Sequence, residues 1–276
     1  MYVGFASSTC AFASFLFRKP CILLDDTEHN AMNHRLYMPF CSAVLTPFYF
    51  KDDLSKFFGG SGKQIYFNAY VEQLYLHSKY YQTSTNVLDE LGVEKGKYVI
   101  VRYTSYDAHH DIGVKHLEDE FKKSLLQRME QSCRVLLSLE NPTDDDDYNK
   151  YLFSIAPEQI HDIEANAKFM LSEGGTMINE SFVLGVPCIH INPLMAGCYE
   201  YMEKNFSDRF LHSIDEQTII TKIDKWLSSE TKPIENRKSL EANTICPTDL
   251  LVWFVENYPE SMKTMQNNPD YQNNFK

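Results

Sequence analysis

Apolar residues in this chain fall in short continuous runs separated by longer mixed stretches, the pattern of buried parallel strands joined by crossover helices. Residues 1–5 (MYVGF) read as the end of a buried strand, running into a small-residue turn at 6–9 and an apolar helix at 10–17. Residues 20–24 form an apolar run that ends in Asp25-Asp26, as a parallel strand should at its C-terminal edge. A helix is expected at 34–41 and a strand at 43–47, stopped by proline. Strand, helix, strand, helix, strand marks a doubly wound sheet. The polar, glycine-containing stretch 51–62 reads as loop, 64–67 as a last strand, and the tyrosine-rich stretch 68–86 as a connection.

A second α/β series follows a turn at 94–96. It reads as strand 98–103, amphipathic helix 118–132, strand 134–138, helix 160–167, strand 169–172, turn 173–176, helix 177–184 and strand 188–192. Gly185 and Pro187 stop the helix at 177–184. The four consecutive aspartates within 141–148 indicate a solvated loop, since consecutive side chains cannot converge on one ion. Helices at 215–227 and 247–258 close the chain before a polar tail.

Composition narrows the function classes. The net charge of −12 over 276 residues leaves no basic excess to displace counterions, so no nucleic-acid partner is expected. A small anion remains acceptable, because helix N-termini bind phosphate without net positive charge. Seven cysteines at irregular spacing, with no CxxC pair, indicate thiols in a reducing compartment, with no disulfide framework and no zinc set. No apolar stretch approaches the ~20 residues of a membrane helix, and no leader pattern opens the chain. The expectation is a cytoplasmic protein without cofactor or metal; peripheral membrane association and homo-oligomerisation stay open.

The most informative stretch is FMLSEGGTMINESFVLGVP, residues 169–187: strand, glycine turn, helix. Glycines let backbone approach a ligand, and the amides and dipole of a helix N-terminus attract phosphate. Glu180 lies about one turn after Thr176 and so faces the same side, where a carboxylate suits the two donors of a ribose diol. The plain alternative is an ordinary strand-to-helix turn with a solvated glutamate, since short glycine motifs are common.

This stretch resembles the sugar-nucleotide motif of the glycosyltransferase-B and UDP-GlcNAc 2-epimerase superfamily. There a small-residue loop meets the diphosphate and a helix glutamate holds the ribose. The resemblance places Glu180 on that glutamate and Glu173, Gly174, Gly175 and Thr176 on the loop, with His161 toward the base or capping its own helix. The whole chain is similar to a bacterial family called domain of unknown function 354. The similarity runs through VGFASS, CILLDDTEHN, VLTP, KYVIVRYTSYDAHHDIG, APEQIHDIEANAKFMLSEGGTMINESFVLGVPCIHIN and LVWFVENYPESM. It implies an α/β protein of two Rossmann-like domains: a partial first domain at 1–86 that lacks initial strands, a nucleotide-sugar domain at 87–245, and a helix and tail at 246–276 returning toward the first. Two departures argue against epimerase chemistry: Ser7 and Ser8 stand where 2-epimerases carry an acidic residue, and their HRREN-like motif has no clean match.

Further chemistry is expected beyond the strand ends, where open α/β sheets place ligands. Asp25, Asp26, Glu28 and His29 could supply a general base for a sugar hydroxyl, neighbouring carboxylates raising one another's pKa; the alternative is a helix cap. His109, His110 and Asp111 follow the strand at 98–103 and suit a catalytic or phosphate-contacting role. Their HDIG string also resembles the HD-type metal phosphohydrolases, but those set it on a helix in an all-α fold. His190 reads as structural, Cys188 and Cys198 as inert. The implied function is a glycosyltransferase-like protein. It would bind a UDP-sugar between two domains, with an unknown acceptor, in bacterial surface polysaccharide synthesis. The alternatives are a sugar-nucleotide epimerase or hydrolase, or a non-catalytic nucleotide-sugar-binding protein.

Overall fold

The computed structural model describes residues 1–28, 30–104, 117–141 and 143–276. They form two compact units. Unit 1 comprises Met1–His77, Ala196–Cys198 and Glu241–Lys276, and unit 2 comprises Ser78–Met195 and Tyr199–Leu240. The divisions thus fall at His77 and Leu240, where the sequence suggested 86 and 245.

Unit 1 is built on β1 (Tyr2–Phe5), α1 (Ser8–Leu16), β2 (Cys21–Leu24), α2 (Ala31–Tyr37), β3 (Ala43–Pro47), β4 (Gln64–Phe67) and α3 (Gln73–Leu76). Its sheet is parallel throughout, in the order β1-β2-β3-β4. Both β2 and β3 are buried along their whole length, which is why they read as unbroken apolar runs. On one face of the sheet Ile22, Leu45, Ile65 and Phe67 pack with Leu250, Phe254, Met262 and Met265 from the chain's last segment. On the other, Leu23 and Val44 pack with Ala11, Tyr37 and Met38. The edge strand β1 differs: Val3 and Phe5 are 47% exposed, and Phe15, Leu16 and Phe17 at the end of α1 are 62–74% exposed. These side chains make an apolar patch at the β1 edge of the sheet.

Unit 2 runs through α4 (Asn86–Leu91), β5 (Tyr98–Tyr103), α5 (Asp119–Glu130), β6 (Arg134–Leu139), α6 (Asp146–Asn149), α7 (Ile160–Asn166), β7 (Met170–Ser172), α8 (Gly175–Val183) and β8 (Cys188–His190). It continues through α9 (Gly197–Asn205), whose Gly197 and Cys198 belong to unit 1, β9 (Phe210–His212), α10 (Glu216–Ser228) and α11 (Pro233–Asn243), which passes into unit 1 at Glu241. The five strands are parallel in the order β6-β5-β7-β8-β9. From β5 the chain moves outward to β6, then returns to the other side of β5 to lay down β7. The C-terminal ends of β5 and β7 therefore flank the topological switch point, where an open α/β sheet forms its ligand crevice. Val99, Val101, Leu137, Leu171 and Ile189 fill the core beneath it with Phe169 and Trp226, whose rings lie 5.7 Å apart.

Several local expectations change. The four-aspartate run is not all loop: Asp145 accepts the Asp147 N–H at 2.9 Å and caps α6, while Tyr148 is buried and donates to Asp119 at 2.6 Å. The tail beyond 258 is not irregular, since α12 (Pro247–Glu256) is followed by α13 (Glu260–Asn267) and a 3-10 segment, Pro269–Phe275. Met262 and Met265 bury against the unit 1 sheet, and Tyr271 stacks on Trp253 at 4.8 Å. Helices α9 and α11 and strand β9 were not foreseen, because their apolar positions are too few to give a clear period. Helix α2 starts at Ala31, earlier than expected, because the Asn30 side chain accepts the Asn33 N–H at 3.3 Å.

Candidate functional site

At the switch point of unit 2, Thr104 follows β5, and Glu173, Gly174, Gly175 and Thr176 follow β7. Helix α8 begins at Gly175, earlier than the sequence suggested, with Gly174 as its N-cap. A glycine cap offers no side chain, so the first-turn amides of α8 have no capping oxygen, the arrangement that favours an anion. The turn itself is held from below. The Gly174 N–H donates to the Ser172 hydroxyl at 2.9 Å, and that hydroxyl donates to the Gly174 carbonyl at 2.9 Å. Asn192 Nδ2 donates to the Glu173 carbonyl at 2.9 Å.

Each glycine answers a steric need. A β-carbon on Gly174 would lie 3.2 Å from Thr104 Cγ2, and one on Gly175 would overlap the Tyr199 hydroxyl. Tyr199 is fixed in turn, stacked on His212 at 5.5 Å and tilted against His190 at 4.2 Å. His190 is 2% exposed, with Nδ1 3.0 Å from His212 Nδ1. Burial, then the His212 neighbour, pull its pKa down to about 3, so the pair is neutral and supports the crevice floor. Cys188 is buried and its thiol is pushed well up by burial, which leaves it unreactive. All seven cysteines are thiols.

The acidic residues of the motif part company. Glu173 turns inward: its carboxylate is fully buried, accepts the Thr104 N–H at 2.9 Å through Oε2 and pairs with Lys122 through Oε1. It joins the β5 and β7 ends and faces the interior, whereas the sequence had placed it with the loop that meets the phosphates. Thr176 is exposed, Gly174 and Gly175 partly so. Glu180, one turn along α8, keeps 11% of its side chain exposed, with Oε1 3.2 Å from His161 Nε2. His161, in the first turn of α7, has 24% of its side chain exposed. Beside them lies a group that went unnoticed in the sequence. Glu164 is fully buried, and burial followed by the nearby Glu180 carboxylate push its pKa well up. Its signal was the HDIE string, which puts His161 and Glu164 three residues apart on one helix face.

The acidic cluster after β2 in unit 1 also divides. Asp25 is 1% exposed and saturated: it accepts the Tyr37 hydroxyl at 2.5 Å and the Thr27 N–H at 2.8 Å, and lies 3.2 Å from His34 Nε2. Glu28 accepts the Lys51 N–H at 2.5 Å and the Gly197 N–H at 2.6 Å, so both of its oxygens clamp backbone. Asp26 is half-buried, and its carboxylate accepts the Thr27 hydroxyl at 3.4 Å. Burial, then the Asp25 charge, raise its pKa to about 6. Asp26 thus has the capacity for acid/base exchange near pH 6. His29, His109, His110 and Asp111 lie outside the described residues.

A family model, Protein of unknown function (DUF354), matches residues 7–260. Uncharacterized protein MJ0665 of Methanocaldococcus jannaschii is 26% identical over 245 residues, which is 87% of this chain and 68% of that protein. UDP-N-acetylglucosamine 2-epimerase from Rickettsia bellii superposes with a TM-score of 0.59 at 10% identity, covering 95% of this chain and 74% of that one. A Staphylococcus aureus MnaA–UDP structure gives 0.58 at 13% identity, covering 99% and 76%. Spinosyn forosaminyltransferase SpnP gives 0.57 at 10% identity, covering 92% and 74%. The fold is α/β of the glycosyltransferase-B kind, with two parallel sheets. Among the described residues no helix is long and apolar enough to cross a membrane.

Proposed function

We propose that this chain, which belongs to the family Protein of unknown function (DUF354), binds a nucleotide sugar in the switch-point crevice of unit 2 and is glycosyltransferase-like, with a UDP-sugar as donor and a role in bacterial surface polysaccharide synthesis. The observation that carries the proposal is the glycine-capped N-terminus of α8, with amides lacking a side-chain cap at the mouth of the crevice and Glu180 one turn deeper. The diphosphate would accept from the amides of Gly175 and Thr176, and Glu180 would accept from the ribose hydroxyls. The UDP bound in the MnaA structure, which shares this fold, supports uridine diphosphate as the nucleotide.

In transfer, the helix N-terminus stabilises the negative charge that develops on the leaving diphosphate. A carboxylate deprotonates the acceptor hydroxyl, and Asp26 is the candidate. A base acts only when ionised, so with its pKa raised to about 6 turnover should fall as pH drops through about 6 and level off above it. A pH–rate profile checks this: the acid limb should disappear in Asp26→Asn along with most of the activity, and an unchanged limb would assign it to another group.

Calorimetry with UDP and UMP tests the nucleotide site. Glu180→Ala should weaken both by a similar factor, roughly 10- to 100-fold for about 1–3 kcal/mol, because both carry the ribose. Equal affinity in wild type and variant would remove Glu180 from the site. Sugar-nucleotide epimerisation is the second function to consider, favoured by the likeness to 2-epimerase structures. Product analysis with labelled UDP-sugars separates the two, since transfer needs an acceptor and epimerisation does not. A non-catalytic binder would turn over neither.

A further inference from the structure

The buried carboxyl of Glu164 has no evident structural employment. Neither oxygen has a hydrogen-bond partner among the described residues, and the residue is 0% exposed. A carboxyl group held this way forfeits the hydration it would have in the unfolded chain, a cost that buried polar groups normally offset with a partner. The oxygen it turns toward its neighbours points to what that partner is. Ligand atoms of His161, Glu164 and Glu180 all lie within 4.8 Å of one another.

We infer that His161, Glu164 and Glu180 bind one divalent transition-metal ion. An imidazole nitrogen and two carboxylate oxygens are the donor set of zinc, and equally suit manganese or ferrous iron. Bonds of about 2.1 Å in a tetrahedral site set ligand atoms about 3.5 Å apart, so the cluster needs to contract by roughly an ångström, within reach of side-chain rotation on two helices. His161 and Glu180 already stand 3.2 Å apart. The two carboxylates and a neutral imidazole would balance the ion's double charge, removing the cost of holding Glu164 and Glu180 side by side. The site is fixed by architecture, because α7 supplies two ligands three residues apart and the buried face of α8 supplies the third. The inference goes beyond the nucleotide-sugar proposal and does not rest on it.

The test uses metal alone. Full-length protein is stripped with chelator, then titrated calorimetrically with ZnCl₂ and with MnCl₂ in the absence of nucleotide. About one equivalent of at least one ion should bind with a Kd of about 10 µM or tighter, and Glu164→Gln and His161→Ala should each weaken it at least tenfold. Cobalt substitution should give visible bands without a thiolate charge-transfer band, which separates this cluster from any cysteine site. Bound metal should also raise the Tm of the wild type and leave that of Glu164→Gln unmoved, by mass action on the native state. Should Glu164→Gln fail to fold, His161→Ala, at a partly exposed position, carries the comparison. Absence of tight binding in the wild type, a thiolate band, or equal affinity in wild type and a folded variant would overturn the inference. Because the metal titration is run without nucleotide, its failure and the failure of the UDP titration are separate results.

Discussion

Gly185→Ala should destabilise unit 2 by at least about 3 kcal/mol and lower its Tm by roughly 6–12 °C, as read by calorimetry or circular dichroism. Gly185 follows α8 with φ of +90°, a conformation that L residues rarely adopt. A β-carbon there would also overlap the Pro233 carbonyl oxygen and sit 2.8 Å from the Arg237 nitrogen. Both obstacles are backbone and cannot swing aside. The Gly185 carbonyl is held as well, accepting from Asn236 Nδ2 at 2.8 Å. The control is Gly92→Ala: its φ is +62°, but open space surrounds the added carbon, so only the conformational cost of about 1 kcal/mol applies. Equal losses at the two positions would mean that the clash at Gly185 is relieved by movement of α11.

The adjacent aspartates after β2 should respond in opposite ways. Asp25→Ala removes the acceptor from the Tyr37 hydroxyl and the Thr27 amide and strands His34 in the interior, so a stability loss of about 3–5 kcal/mol is expected. Asp26→Asn removes a charge that burial already disfavours, so its Tm should stay level or rise while turnover falls at least about tenfold. Chemical denaturation beside a steady-state assay reads both. A destabilised Asp26→Asn with full activity would reverse the roles given to the pair.

That contrast also marks what the sequence could not tell. DD at the end of an apolar run announces a strand terminus, but only tertiary packing decides which carboxylate meets Tyr37 and which meets solvent. Glu28 is a similar case: its clamp on Gly197 joins residues 169 positions apart, beyond any local pattern. Strands β2, β3 and β5 were legible for the opposite reason. Parallel strands buried on both faces must be continuous apolar runs, and proline or charge ends them sharply. Helix α8 and the place of Glu180 on it were legible because glycine at each end frames the helix. The polar closing helices were not, since Met262 and Met265 are sparse anchors in a charged, amide-rich segment. Within the crevice, Tyr199 stayed hidden because its fit against Gly175 depends on α9, which has no clear sequence signal. Glu173 looked like part of the phosphate loop, and its inward turn follows from Lys122 on α5, a partner the local motif does not contain.

The crevice at the ends of β5 and β7 is the proposed nucleotide site. Titration of isotope-labelled protein with UDP, followed through backbone amide resonances, tests this residue by residue. The expected result is saturable binding in which the largest shifts belong to the amides of Gly174, Gly175 and Thr176, with Glu180 next and UMP moving the loop amides less than UDP does. No binding, or shifts concentrated away from the α8 N-terminus, would contradict it.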